Sequence, residues 1–75
     1  MAIVTKLRRE SLIQDSHHTE TDCTYCIIID EHGARMLQID TYGSKSRQIP
    51  GKKSQTIRFS PDAIKQLKKI LSDEL

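Results

Sequence analysis

The order of patterned segments along the chain constrains its fold more than any other feature of the sequence. Three segments with strand patterns, residues 23–30, 35–42 and 54–59, are followed by one segment with a helical pattern that begins after Ser60. Asp30-Glu31-His32-Gly33, between the first two strand segments, is typical of a hairpin turn. This order predicts an α+β fold in which an antiparallel sheet of three to four strands carries one C-terminal helix packed on one face.

The strand segments differ in how they distribute apolar residues. CTYCIIID, residues 23–30, is apolar at both alternating positions, which predicts a central, well-covered strand. In RMLQIDTY, residues 35–42, the side that holds Leu37 and Ile39 is expected to be core and the other side at least partly wet. In SQTIRF, residues 54–59, Ile57 and Phe59 are expected in the core, with Arg58 on the open surface. Residues 1–14 are predicted to add a further strand, with a short helix as the alternative.

The helix has both a start signal and an apolar stripe. Ser60 is a favoured N-cap residue, Pro61 suits the first helical position, and Asp62 complements the positive end of the helix dipole. Apolar residues then recur at helical spacing, at Ile64, Leu67, Ile70 and Leu71. The pattern predicts a helix from Pro61 to about Ser72, with Lys65, Lys68 and Lys69 facing solvent.

The chain is short, and this limits the core that it can build. Its 75 residues predict a single domain over 1–75, in which residues 1–22 are expected to be partly mobile. A chain of this size removes only about 60 to 65% of its unfolded surface from water on folding. Residual apolar surface and an exposed sheet edge favour covering by a second copy, so we predict a homodimer.

Charge is distributed unevenly along the chain, although the net charge is only +2. From Ser11 to Asp40 there are six acidic residues and one basic residue, whereas from Thr41 to Pro61 there are five basic residues and no acidic residue. The five are Lys45, Arg47, Lys52, Lys53 and Arg58. Such segregation favours a basic surface that meets an anion, and the alternative is a solvated loop kept soluble by lysines.

Targeting signals and cysteine usage indicate the compartment. No stretch approaches 18 apolar residues, which predicts no membrane span, and MAIVTKLRRE has no apolar signal region, which predicts a cytoplasmic protein. Cys23 and Cys26, preceded by His17 and His18, form the one candidate zinc site. Because residues three apart in a strand face opposite sides of the sheet, small buried or half-buried cysteines are favoured, and no metal or cofactor is expected.

Catalytic and nucleotide-binding patterns find little support in the sequence. Nothing places a nucleophile next to a base, and so small a chain has little room for a pocket that excludes water. Gly43 and Gly51 do not form a phosphate-binding glycine motif. We therefore expect a protein that is not an enzyme.

From Met36 onward, the sequence MLQIDTYGSKSRQIPGKKSQTIRFSPDAIKQLKKIL resembles the family of transcriptional coactivators called positive cofactor four, with its small bacterial and phage relatives. The resemblance rests on an alternating strand that ends in an aromatic residue, a basic PGKK turn, a short strand and a Ser-Pro-acid helix start, and it covers about half of the chain. It implies a four-stranded sheet with a C-terminal helix, dimers formed through the helices, and single-stranded DNA bound on the curved sheet. Ile64 stands early in the helix, where the family usually carries tryptophan.

These observations lead to two functional expectations. The first is a protein that binds single-stranded nucleic acid, DNA in preference to RNA, without strong sequence preference. Phosphates would contact Lys45, Arg47, Lys52, Lys53 and Arg58, and a base would stack on Tyr42. The alternative is a protein-interaction module, or a phage-type inhibitor, whose basic loop docks on an acidic partner protein.

Overall fold

The structure, a computed structural model, describes residues 1–12, 20–42 and 55–75. Within these residues it contains β1 (Ala2–Val4), β2 (Cys23–Ile29), β3 (Arg35–Thr41), β4 (Gln55–Phe59) and α1 (Pro61–Glu74). The strands form one sheet in the order β1-β4-β3-β2, and α1 contacts β3 and β4. The predicted α+β class is confirmed.

The sheet is mixed rather than purely antiparallel. β2 pairs with β3 and β3 with β4 in antiparallel fashion, as predicted, but β1 runs parallel to β4. The sequence predicts the antiparallel hairpin because its strands are joined by a short turn. β1 is far from β4 along the chain, so no local turn sets the direction of that pair.

The β2–β3 turn forms at the predicted residues, Asp30 to Gly33. The Asp30 carbonyl accepts a hydrogen bond from the Gly33 amide at 3.1 Å, and the Asp30 amide donates to the Ala34 carbonyl at 3.0 Å. Gly33 has a φ of 80°, a left-handed conformation that glycine adopts without a Cβ clash. The Asp30 carboxylate also accepts hydrogen bonds from the His32 and Ala34 amides. This three-residue loop fixes the β2–β3 register.

The register divides the side chains of the sheet into two faces, since directly paired residues project to the same side. Ile39 pairs with both Tyr25 and Ile57, and Gln38 pairs with both Cys26 and Arg58. We call the first side the apolar face; its apolar residues are Ala2, Val4, Tyr25, Ile27, Ile29, Leu37, Ile39, Ile57 and Phe59, and it also carries Cys23, Arg35, Thr41 and Gln55. We call the second side the polar face; its polar residues are Thr24, Gln38, Asp40, Tyr42, Thr56 and Arg58, and it also carries Ile3, Cys26, Ile28 and Met36.

Burial in β3 is the reverse of the sequence prediction. Gln38 and Asp40 are buried, with 8% and 2% of their surface exposed, whereas Leu37 and Ile39 are only half-buried. Ala63 of α1 is the single apolar residue, among those the structure describes, that is buried. Gln38 and Asp40 tolerate burial because their side chains are hydrogen-bonded to each other and to Arg58 and Thr56 of β4.

The expected core positions of β4 are correspondingly more exposed than predicted. Ile57 is 37% exposed and Phe59 is half-buried. Both lie on the apolar face, as the alternation indicated, so their orientation was predicted but their coverage was not.

β2 forms where the sequence predicts a strand, but the prediction that it is central and well covered is wrong. It lies at the edge of the sheet that the described residues form, with β3 as its one neighbour there. Tyr25, Ile27 and Ile29 are 74%, 56% and 63% exposed. A strand whose residues are apolar on both faces usually lies inside a sheet that is covered on both faces by other elements. Here β1 pairs with β4 instead, so among the described strands β2 has no second neighbour.

The helix begins as predicted. The Ser60 side chain accepts a hydrogen bond from the Ala63 amide at 3.1 Å, and Pro61 opens the first turn. The helix continues to Glu74, slightly beyond the predicted end near Ser72, and its three lysines are exposed. Leu71, predicted within the apolar stripe, is 51% exposed. No helix among the described residues is long and apolar enough to cross a membrane.

The predicted strand over residues 1–14 is much shorter than expected. Beyond β1, residues 5–12 form no strand, and part of this segment is bound to α1. The Leu7 amide donates to the Gln66 side chain at 2.8 Å, and that side chain donates to the Thr5 carbonyl at 3.3 Å. Arg9 forms an exposed ion pair with Glu74 at 2.9 Å. The two side-chain interactions hold the N-terminal segment against the helix.

Candidate nucleic-acid interface

Two of the six residues predicted to bind nucleic acid lie within the described structure. Tyr42 and Arg58 are both on the polar face, in agreement with the prediction that they share one surface. The other four, Lys45, Arg47, Lys52 and Lys53, lie in the segment 43–54, outside the described residues. In sequence, this segment connects the ends of the two strands that present Tyr42 and Arg58.

The Arg58 guanidinium is held by the side chain opposite it on β3. Nε and Nη2 of Arg58 donate to the Gln38 side-chain oxygen at 3.2 and 2.6 Å. Within the part of the chain that the structure describes, Nη1 of Arg58 has no hydrogen-bond partner. Arg58 is half-buried. The guanidinium is therefore fixed by two donors and keeps N–H groups for a further acceptor.

Gln38 and Thr56 both turn a donor toward Asp40. The Gln38 amide nitrogen lies 3.1 and 3.4 Å from the two Asp40 carboxylate oxygens, and the Thr56 hydroxyl donates to one of them at 2.6 Å. Arg58, Gln38 and Asp40 thus form a continuous chain of hydrogen bonds across the polar face. Among the described residues, no buried side-chain nitrogen or oxygen lacks a partner. The chain of bonds restrains Arg58 in one position.

Asp40 places a carboxyl group near the centre of a surface that was predicted to be basic. It is 2% exposed, so its carboxyl group is largely removed from contact with an anion in solution. The sequence predicted that Asp40 would lie on a side that is at least partly wet. The side is partly exposed at Thr24, Tyr42 and Arg58, but Asp40 itself is buried, because hydrogen bonds from Gln38 and Thr56 allow its carboxyl group to leave water.

Tyr42 follows directly after β3 and is half-buried. Its hydroxyl group lies 2.7 Å from the Thr24 hydroxyl on β2. This bond ties the end of β3 to the edge strand and restrains the tilt of the ring. The partly exposed ring remains the one described aromatic group on the polar face.

Sequence reasoning missed two features of the sheet surface. Gln38 was read as a wet residue and not as the side chain that orients Arg58, and only the pairing of the two strands reveals this role. The exposed apolar strip Tyr25, Ile27 and Ile29 was read as core. The absence of any charged residue from 23 to 29 fits a covered strand and an uncovered one equally well.

The cysteine pair does not converge on one point. Cys23 and Cys26 are exposed, unbridged, and on opposite faces of β2, because Cys23 pairs with Thr41 and Cys26 with Gln38. Their exposure contradicts the burial expected from the sequence. His17 and His18 lie outside the described residues. Among residues 1–12, 20–42 and 55–75, no cluster of three or more potential metal ligands is found.

One shallow groove lies between the N-terminal segment and α1. Its volume is about 200 Å³, and it is lined by Leu7, Gln66, Lys69, Ile70, Asp73 and Glu74. The Glu74 carboxylate is paired with Arg9 and the Gln66 amide with backbone groups. These groups fasten the N-terminal segment, and the groove presents no nucleophile next to a base. The expectation that the protein is not an enzyme stays a prediction.

No family model, curated protein or solved structure matches the chain. The resemblance to the positive cofactor four family stays a prediction based on the residues from Met36 onward.

Proposed function

We propose that this protein binds single-stranded nucleic acid on the polar face together with the adjoining basic segment 43–54. The observation that carries the proposal is the fixed Arg58 guanidinium, which two bonds to Gln38 hold in place while Nη1 keeps its donors. An arginine restrained before binding loses less side-chain entropy when it contacts a phosphate. Lys45, Arg47, Lys52 and Lys53 supply further cations in the segment between Tyr42 and β4.

The composition of the polar face supports binding that depends on phosphates more than on bases. Tyr42 is its one described aromatic group, so stacking contributes at most one platform. The remaining contacts come from cations, which neutralise phosphates without reading sequence. Binding is therefore nearly independent of sequence and weakens steeply as salt increases. The preference for DNA over RNA rests on the family resemblance.

The first test compares two arginines on opposite faces of the sheet. Arg58→Gln removes the proposed phosphate contact, whereas Arg35→Gln removes an exposed arginine that lies on the same side as Ile29, away from the polar face. Fluorescence anisotropy with a labelled single-stranded oligonucleotide measures affinity at several salt concentrations. We expect Arg58→Gln to weaken binding roughly fivefold to tenfold and to reduce the salt slope by about 0.7, with Arg35→Gln close to the parent protein.

Equal losses in the two variants would contradict a defined site, because they would show an effect of net charge alone. A salt-independent affinity in the parent protein would remove the proposal altogether.

The basic segment is tested with a triple variant and a control of the same charge. Arg47→Ala/Lys52→Ala/Lys53→Ala removes three positive charges from the proposed interface. Lys65→Ala/Lys68→Ala/Lys69→Ala removes three from exposed positions on α1. The first is expected to abolish micromolar binding while the second retains most of it, since only cations close to the phosphates release counterions.

A protein partner is the second candidate, and the exposed apolar face favours it. Tyr25, Ile27 and Ile29 form an apolar strip of the kind that marks protein contacts, and the polar face has a single described aromatic group for stacking. The basic segment would then steer the chain toward an acidic protein. A pull-down that retains one acidic partner after nuclease treatment, lost in the Arg47/Lys52/Lys53 variant, would favour this function over the first.

A further inference from the structure

The edge strand β2 presents a row of backbone groups that its one neighbour does not use. In an antiparallel pair, residues with backbone bonds to the neighbour alternate with residues whose N–H and C=O point away. The Asp30 amide donates to the Ala34 carbonyl, which fixes the phase of this alternation. Counting back in the β2–β3 register, the odd-numbered residues of β2 direct their N–H and C=O toward the open edge. These are Cys23, Tyr25, Ile27 and Ile29.

Nothing in β2 protects this edge from pairing with another strand. Sheet edges are usually blunted by short strands, charged side chains, proline or bulges. β2 is seven residues long, contains no charged residue, proline or glycine, and pairs with β3 in an unbroken register. The opposite edge, β1, is only three residues long. The unprotected edge is therefore β2.

The side chains on the same residues are apolar and exposed. Tyr25, Ile27 and Ile29 belong to the apolar face, and each keeps more than half of its surface in water. An added strand would satisfy the backbone groups and, at the same time, cover these side chains from one side. Tyr25, Ile27 and Ile29 thus have both exposed apolar side chains and backbone N–H and C=O groups that point to the open edge.

We propose that two copies of this chain pair their β2 strands antiparallel about a twofold axis at Cys26, which forms one eight-stranded sheet. The occupant is a second copy because β2 is complementary to itself in this orientation. Tyr25 lies opposite the partner's Ile27 and Cys23 opposite the partner's Ile29, so apolar residues of the two apolar faces adjoin. Odd-numbered residues meet odd-numbered residues, so the outward N–H and C=O groups of both copies form hydrogen-bonded pairs.

The twofold arrangement also closes the assembly. Each copy uses the one unprotected edge of its described sheet, and the short β1 strands remain at the two ends. Such a pairing is isologous and does not propagate into a fibre. It extends the apolar face without interruption through Ile39 and Ile57 of both copies.

Charged residues just beyond the ends of β2 make the proposed dimerisation depend on salt concentration. The same register places Asp22 opposite the partner's Asp30, and both have like charge. Salt screens this repulsion, so dimerisation strengthens as salt increases, which is opposite in sign to the binding of nucleic acid. Failure of the dimer and failure of the proposed nucleic-acid binding can therefore be told apart, and dimerisation is measured without any oligonucleotide.

The first test places a lysine at two positions of equal exposure. Ile27 and Ile3 are both 56% exposed, the first at the proposed interface and the second on β1. Ile27→Lys places an ammonium group opposite the partner's Tyr25 and diagonally across from the same lysine of the second copy. We therefore expect dimerisation to weaken by about tenfold or more. Ile3→Lys is expected to leave the association unchanged. Sedimentation velocity over a concentration series measures both, and circular dichroism checks that each variant is folded.

The second test uses disulfide crosslinking of the native cysteines to determine the register of the β2–β2 pairing. About the twofold axis, Cys26 lies opposite the partner's Cys26 in a non-hydrogen-bonded pair, where Cα atoms are about 4.5 Å apart, within the range that a disulfide spans. Diamide oxidises the two thiols to a disulfide and is itself reduced to the hydrazine. We expect a covalent dimer on a non-reducing gel that Cys26→Ser abolishes and Cys23→Ser retains.

Three results would overturn the proposal. A monomeric parent protein at all concentrations removes the dimer. An association that is lost in Ile3→Lys and kept in Ile27→Lys moves it to another edge. A covalent dimer that depends on Cys23 and not on Cys26 excludes the proposed register.

Discussion

Asp40 is an acidic residue that is buried in a small protein, and its hydrogen bonds make this possible. Its carboxyl group accepts hydrogen bonds from Thr56 and Gln38, and the same Gln38 accepts two from Arg58. The Gln38 side-chain oxygen thus accepts from the cationic Arg58, while the Gln38 side-chain nitrogen donates to the carboxyl group of Asp40. Removing a partner from a buried polar group costs more than the bond itself contributes, because the group left behind is also out of water.

Two threonines on the polar face allow this cost to be measured. Thr56→Val removes the hydroxyl that donates to buried Asp40, and Thr24→Val removes the hydroxyl that bonds to Tyr42 in an exposed setting. The substitution is the same, and valine suits a strand at both positions. We expect Thr56→Val to lower the free energy of unfolding by about 1 to 3 kcal/mol and Thr24→Val by about 0.5 kcal/mol or less. Urea unfolding measures both, and equal losses would contradict a special role for the buried carboxyl group.

At the scale of the secondary-structure elements, local signals predict positions better than they predict surroundings. The Ser60-Pro61 start of α1 and the Asp30 to Gly33 turn appear where the sequence places them, because each depends on hydrogen bonds within a few residues. β2 also forms where predicted, yet it lies at the edge. Its neighbour on the open side would have to come from a distant segment, and β1 pairs with β4 instead.

The helix start gives a prediction that depends on this local bond. Ser60→Ala removes the acceptor for the Ala63 amide and should lower the free energy of unfolding by about 1 kcal/mol. Ser72→Ala changes an exposed serine within the same helix and should leave stability equal or slightly higher, since alanine is the better helix former. Urea unfolding of the two variants distinguishes a capping effect from a general effect of serine. A loss in Ser72→Ala as large as that in Ser60→Ala would contradict the cap.

At the scale of the whole molecule, the described sheet leaves apolar side chains of its edge strand exposed. Ala63 is the one buried apolar residue among those the structure describes, whereas Tyr25, Ile27 and Ile29 are largely in water. The homodimer expected from chain length remains a prediction, and the proposed β2 pairing gives it a specific location. The same pairing leaves Arg58 and Tyr42 on the polar face.

Dimerisation by β2 should make thermal stability depend on protein concentration. A dimer that dissociates on unfolding has a midpoint that rises with concentration by mass action. We therefore expect Tm to increase over a hundredfold range of the parent protein and to be nearly constant for Ile27→Lys. Differential scanning calorimetry measures this, with Ile3→Lys as the control that keeps the dependence. A Tm independent of concentration in the parent protein would contradict coupling between dimerisation and folding.

The sequence by itself determined the order of the elements, the hairpin turn, the helix start, and which side chains share each side of β3 and β4. All of these follow from alternation and from hydrogen bonds between residues close in the chain. The tertiary structure decided that β1 joins β4 in parallel and leaves β2 at the edge. It also decided that Gln38 and Asp40 are buried while Tyr25 is exposed. These outcomes depend on which distant strands become neighbours, and on whether the atoms that meet there can satisfy one another's hydrogen bonds.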